Sequence, residues 1–333
     1  MTVRTYSSPQ AFKQALEQRL RASTKTGADF ARKRQLLVFE RFLARIDAVL
    51  GDAATLKGGL ALELRLERAR TTKDVDLRII GSPDNLLAKL QEAARRDLGD
   101  FLTFEVGRDE DHPELHNEGM QYEGFRFRAE CKLAGKLYGQ SFGVDVAFGD
   151  PILGEPEVAV AEDVLAFAGI APPTLRLYPI ETHIAEKLHA YTMPRRRPNS
   201  RVKDLPDIAL LATAQTLDSK RLRGALEQTF TFRGTHALPS KLPEPIAAWA
   251  SPYAAMARED QLSWSTLADV VKAAQAFLDP VLAGDLDATW EPGTWTWGEP
   301  ERRNAGAVQA SRMTVDHDSG AKPHALTDLT PAH

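Results

Sequence analysis

The sequence predicts an α+β chain in which a mixed sheet with flanking helices is followed by a mostly helical C-terminal domain. Three observations carry that expectation. Segments that alternate every second residue cluster between residues 74 and 148, helical spacing dominates before residue 50 and after residue 180, and Ala171-Pro172-Pro173 punctuates the chain between those regimes. Residues 1–55 are read as N-terminal helices, 56–172 as an α/β core and 173–298 as a helical domain. Residues 299–333 are polar and lack periodicity, so a disordered tail is expected there.

Taken in order, Ser8-Pro9 supplies an N-cap with proline at the first helical position, opening a helix to about residue 21. A longer helix is expected over 27–50, with Leu37, Phe39, Phe42, Leu43 and Ile46 on its packing side. Arg32, Lys33 and Arg34 near its start read as a solvated face, with an RNA contact as the alternative. Residues 60–68 alternate at their leucines as a strand would. Good helix formers and the lack of β-branched residues nevertheless favour a helix. Strands follow at 74–80, 101–106, 125–133 and 141–148, with a helix at 82–98. The acidic stretch 107–124 is expected to be a loop; its His112 and His116 lack a third ligand, and Pro113 disfavours a helical metal pair.

Composition excludes some functions. A hydrophobic share of 43% with 26% charged residues fits a globular protein, and a net charge of −4 supplies no global attraction to nucleic acid. Any RNA contact therefore needs a local basic patch. The lone Cys131 rules out an intrachain disulfide, and its parity with Phe127, Ala129 and Leu133 makes it a buried small hydrophobe. The start lacks an apolar signal core and no uncharged apolar run approaches a membrane span, so a cytoplasmic protein without a membrane partner is expected.

The chemistry concentrates in Lys57-Gly58-Gly59 and in Ala69-Arg70-Thr71-Thr72-Lys73-Asp74-Val75-Asp76. Gly58 and Gly59 let the backbone turn sharply and bring unobstructed N–H groups against an anion, at the positive end of the expected helix. Asp74 and Asp76, at i and i+2 of a strand, point to one side of the sheet. Like charges so placed repel unless a cation lies between them, and oxygen ligands suit Mg2+. A surface strand with solvated acids is the plainer alternative for any isolated Asp-x-Asp. In the strand at 141–148, Val144, Val146 and Phe148 share one face and leave Asp145 on the other, where an acid either has a partner or faces water at a sheet edge.

These motifs closely resemble the AbiEii/AbiGii toxin family of nucleotidyltransferases, in the DNA polymerase β superfamily. The resemblance continues in Ala185-Glu186-Lys187-Leu188 and in Arg201-Val202-Lys203-Asp204-Leu205-Pro206-Asp207-Ile208, where Pro206 and Ile208 depart from the usual residues. It implies a polymerase-β-like nucleotidyltransferase core. In that core Asp74 and Asp76, with Asp145 as the third carboxylate, hold Mg2+ or Mn2+. Lys57, Gly58, Gly59, Thr72 and Lys187 are the implied nucleotide contacts. Asp74, Asp76, Lys187 and Asp204 are the implied catalytic set, with Arg70 and Asp207 accessory.

The resemblance further implies a toxin of a toxin–antitoxin system that transfers NMP from an NTP to the 3′ end of tRNA, blocks translation, and is restrained by a separately encoded antitoxin. Arg195, Arg196, Arg197 and Arg201 form a basic loop that reads either as a surface connection or as an RNA clamp. Transfer to a protein or small molecule, and a non-enzymatic RNA- or antitoxin-binding module, are the competing functions. Clustered like charges disfavour the last, because a scaffold has no need of them.

Overall fold

A computed structural model describes residues 5–66, 72–110, 124–195 and 201–300. Helix α1 (Pro9–Ala22) starts as the sequence suggests, with the Ala11 amide donating to Ser8 Oγ at 3.3 Å. Helix α2 (Gly27–Leu50) opens on a capping box, in which the Asp29 amide donates to Thr26 Oγ1 and the Thr26 amide to Asp29 Oδ2, both at 3.1 Å. Strand β1 (Ala54–Lys57) runs straight into helix α3 (Gly58–Arg65), so the strand-like leucine spacing does belong to a helix.

Strand β2 (Asp74–Ile79), helix α4 (Leu86–Arg95), and strands β3 (Leu102–Arg108), β4 (Gly124–Leu133), β5 (Lys136–Leu137) and β6 (Phe142–Phe148) follow. Strands β7 (Glu157–Val160) and β8 (Thr174–Leu177) complete the first sheet. Helix α4 is shorter than the sequence indicates. Ser82 Oγ donates to Asp84 Oδ2 at 2.6 Å and closes a local turn, and Asn85 enters the helix from a left-handed conformation.

Among the described residues the sheet runs β3-β4-β6-β2-β1-β8-β7, with β5 added beside β4. Strands β2 and β6 are parallel neighbours, while β1 is antiparallel to β2 and β4 antiparallel to β6. One face carries Val75, Leu77, Val144, Val146, Phe127, Ala129 and Cys131, and these pack with α1, α2 and α4 into the first apolar core. Burial pushes the Cys131 thiol up to about 12, in keeping with a packing role. Within this layer Arg45 donates to both oxygens of Asp100, at 2.7 and 3.0 Å, and Arg41 adds a 2.7 Å bond. The three buried side chains tie α2 to the chain entering β3.

Helices α5 (Ile180–Thr192), α6 (Asp204–Leu211), α7 (Ser219–Arg233), α8 (Ala250–Glu259) and α9 (Leu267–Leu282) enclose a second core, which also takes in Leu62 of α3. A small sheet of β9 (Leu217–Asp218), β10 (Thr289–Glu291) and β11 (Thr296–Gly298) closes it. Its indole N–H groups are all satisfied: Trp290 donates to Ala212 O at 2.8 Å, Trp295 to Ala273 O at 3.1 Å and Trp297 to Phe277 O at 2.9 Å. No described helix is long and apolar enough to cross a membrane. The expected tail beyond residue 300, the loop histidines His112 and His116, and the site candidates Arg70, Arg196 and Arg197 lie outside the described residues.

Candidate active site

The sheet face opposite the first core brings the sequence-predicted acids together. Asp76 on β2 stands in register with Asp145 on β6 and with Lys57 on β1, while Asp74 is opposite Gly143. Gly58 has φ +66°, and a Cβ there would lie 2.0 Å from Asp76 Oδ2. A Cβ at position 143 would lie 2.6 Å from Asp74 Oδ1. Each aspartate of β2 therefore leans over a glycine, and Gly58 makes room for Asp76 besides turning the chain into α3. Gly58 and Gly59 begin that helix without a side-chain cap, which leaves its positive end beside the acids.

Burial, reinforced by the neighbouring Asp145 charge, pushes the Asp76 carboxyl up to about 6; Lys57 and Lys187 pull the other way. Lys187 is carried by α5. Lys187 Nζ donates to Asp207 Oδ2 at 2.7 Å and to Asp204 Oδ1 at 3.3 Å. Both carboxylates are fully buried, an arrangement suited to orienting the lysine. Asp207, expected as an accessory, makes the shorter contact. Arg201 approaches Asp204 Oδ2 at 3.8 Å, and Arg195 donates to Ala190 O at 3.5 Å at the end of α5.

Two predicted contacts have other partners. Lys57 Nζ bonds Asp150 and lies 3.3 Å from Glu186, and Arg233 reaches the same two carboxylates at 3.1 Å each. The Lys57 ammonium thus joins the end of β1 to α5 and α7 across a network of alternating charge. The Thr72 amide donates to Glu63 Oε2 at 3.1 Å, while Glu63 Oε1 accepts from Arg32 Nε at 2.8 Å. The Thr72 hydroxyl contacts Asp74 O at 3.4 Å. At the far end of α3, Arg65 donates to Glu157 Oε2 at 2.9 Å, and Glu157 Oε1 accepts the Ile180 amide at 2.8 Å. This clamp fixes the start of the Lys187 helix against the glycine-led helix.

Sequence reasoning missed Arg126, which pairs with Asp145 through Nε to Oδ1 at 2.7 Å and NH2 to Oδ2 at 2.6 Å. Parity puts Arg126 on one face of its strand, but only the β4–β6 register brings it to Asp145. His183 and His189 are both buried, and burial, with Lys187 and Arg65 nearby, holds His183 well below its ordinary range. Among the described residues no three acidic, histidine or cysteine side chains are gathered tightly enough to hold an ion as they stand. Asp145 is turned to Arg126, and Asp74 is exposed.

Residues 41–279 match the family described as Nucleotidyl transferase AbiEii toxin, Type IV TA system. In structure the chain is similar to MenT4, a nucleotidyltransferase toxin from Mycobacterium tuberculosis H37Rv, with TM-score 0.50 and 15% identity over 85% of this chain and 92% of that one. JHP933 from Helicobacter pylori matches with TM-score 0.38 and 18% identity over 60% of this chain and 80% of that one. No curated protein matches the sequence. The family match spans well over half of the chain, and the MenT4 likeness agrees with it in fold. The chain belongs to the AbiEii family of nucleotidyltransferase toxins of type IV toxin–antitoxin systems.

Proposed function

We propose that this nucleotidyltransferase transfers NMP from an NTP to an RNA acceptor, the 3′ end of tRNA, and so blocks translation under the control of its cognate antitoxin. The observation that carries the chemistry is the packing of Asp76 over Gly58 with Asp145 in register beside it. The donor set fits a hard divalent cation. Mg2+ is commonly held by one or two carboxylates together with substrate phosphates and water, so a closed cage of three acids is not required. Asp74 and Asp76 would hold it, with Asp145 adjoining. When bound, such a cation neutralises charge on the reacting phosphate and the departing pyrophosphate.

The chain's own groups supply the rest. Amides at Gly58 and Gly59 receive phosphate oxygens at the start of α3. Lys187, aimed by Asp204 and Asp207, lends positive charge at the nucleotide side of the sheet edge. Lys57 acts by holding the β1–α3 junction against α5, since its ammonium faces Asp150 and Glu186. Arg195 and Arg201 follow the Lys187 helix and are the described residues of the basic stretch that would meet an RNA backbone. The tRNA acceptor rests on the family resemblance.

Purified protein incubated with α-labelled NTPs, Mg2+ and total tRNA tests the proposal, with Asp76→Ala as control. Label in tRNA that the variant abolishes is the expected result. Label in protein or in a small molecule would replace the acceptor, and no label anywhere would reject the transfer.

A further inference from the structure

Arg126 neutralises Asp145 on the acidic face. The register line across four strands reads Arg126, Asp145, Asp76, Lys57. Both guanidinium bonds are short, at 2.6 and 2.7 Å, and engage both oxygens of Asp145. Yet the pair is open to solvent on one side, the Arg126 side chain being 35% exposed against 14% for Asp145. The lysines nearest Asp76 have acidic partners of their own, Lys57 with Asp150 and Glu186, Lys187 with Asp204 and Asp207. Asp74, Asp76 and Asp145 share this face with Arg126 and, opposite Gly143, with Arg128.

We infer that Arg126 is a built-in counter-ion of the carboxylate face: a positioning residue that holds Asp145 in register with Asp76 and competes with an incoming divalent cation for its charge. The inference rests on the metal reading given above and adds a residue which that reading does not use. It also accounts for the absence of a preformed ligand cage among the described residues, because both oxygens of Asp145 reach across to the guanidinium on β4.

Two effects of removing Arg126 oppose each other. Deleting a unit positive charge close to a divalent ion at a partly exposed site strengthens ion binding by about tenfold at low ionic strength. Releasing the Asp145 side chain costs the rotamer order of one short residue, roughly a few-fold. The charge effect is the larger, so loss of Arg126 tightens ion binding.

The experiment titrates the full chain with Mn2+ alone at low ionic strength, reading free Mn2+ by electron paramagnetic resonance. The proteins are wild type, Arg126→Gln, Arg126→Lys and Asp145→Asn, with circular dichroism confirming the fold. Arg126→Gln is expected to bind about tenfold tighter, a gap that narrows in high salt. Arg126→Lys keeps the charge and should stay within about twofold of wild type, and Asp145→Asn should bind more weakly. Unchanged or weaker binding by Arg126→Gln, with wild type binding normally, overturns the counter-ion and leaves the metal reading intact. Tenfold tightening in Arg126→Lys overturns it even if the glutamine variant does not fold. Should wild type bind no Mn2+, the metal reading falls and takes the inference with it.

Discussion

Gly58 and Asp76 occupy one shared volume: a Cβ on residue 58 would sit 2.0 Å from Asp76 Oδ2. The glycine that turns β1 into α3 is thereby also the residue that admits the carboxylate beside the helix start. Gly58→Ala is expected to cost about 1–2 kcal/mol from its left-handed backbone alone. Displacing Asp76 by about an ångström should lower transfer by roughly 100-fold. Urea unfolding and the NMP-transfer rate measure the two effects, and a wild-type rate would reduce Gly58 to a turn residue.

Gly143 has the same relation to Asp74 at 2.6 Å, without a left-handed backbone. Asp74 is exposed and free to swing away, so Gly143→Ala should change stability by less than about 1 kcal/mol. Transfer should nevertheless fall toward the level of Asp74→Asn, because the carboxylate leaves the shared face. Equal kcat and KM for Gly143→Ala and wild type would separate Asp74 from the chemistry.

Asp76 gives a pH signature in metal-free protein. Burial and then Asp145 raise its carboxyl to about 6, whereas the unfolded chain ionises near about 4. The folded state therefore holds the proton longer. The penalty for charging Asp76 is absent below about pH 4, grows between about 4 and about 6, and is full above that. Asp76→Asn should be more stable than wild type by about 2–3 kcal/mol at pH 8 in EDTA, with the difference vanishing near pH 4. Unfolding curves at several pH values check it; a variant less stable at pH 8 contradicts the sign.

Lys187 links stability to function. Its ammonium lies between Asp204 and Asp207, both buried, so Lys187→Met removes a cation that the two carboxylates share. Breaking a buried pair from one side costs about 3–5 kcal/mol, and chemical unfolding of the variant should register a loss of that size. A change below about 1 kcal/mol would mean that the aspartates find other partners.

Much of this arrangement is legible in the chain. Period-two parity puts Asp74 and Asp76 on one face and Asp145 apart from its valine neighbours, and the Ser8-Pro9 cap begins the first helix where it stands. Parity assigns a face, not a neighbour. The parallel pairing of β2 with β6, and of β4 beyond it, decides that Asp145 meets both Asp76 and Arg126. The family resemblance makes Lys57 a nucleotide contact, but its partners Asp150 and Glu186, which it shares with Arg233, come from distant segments that no local pattern joins. For the same reason the tryptophans after residue 289 show no element in sequence, although each indole is fastened to a carbonyl of α9 or just past the end of α6. The strand at 54–57 escapes notice through its length of four residues.

The most direct test is a crystal of the full chain with Mn2+ and a non-hydrolysable NTP, with anomalous scattering locating the ion. The expected result is an ion about 2.1 Å from carboxylate oxygens of Asp74 and Asp76, with nucleotide phosphates on the amides of Gly58 and Gly59. A nucleotide seated away from that edge of the sheet, or an ion held by other side chains, would contradict it.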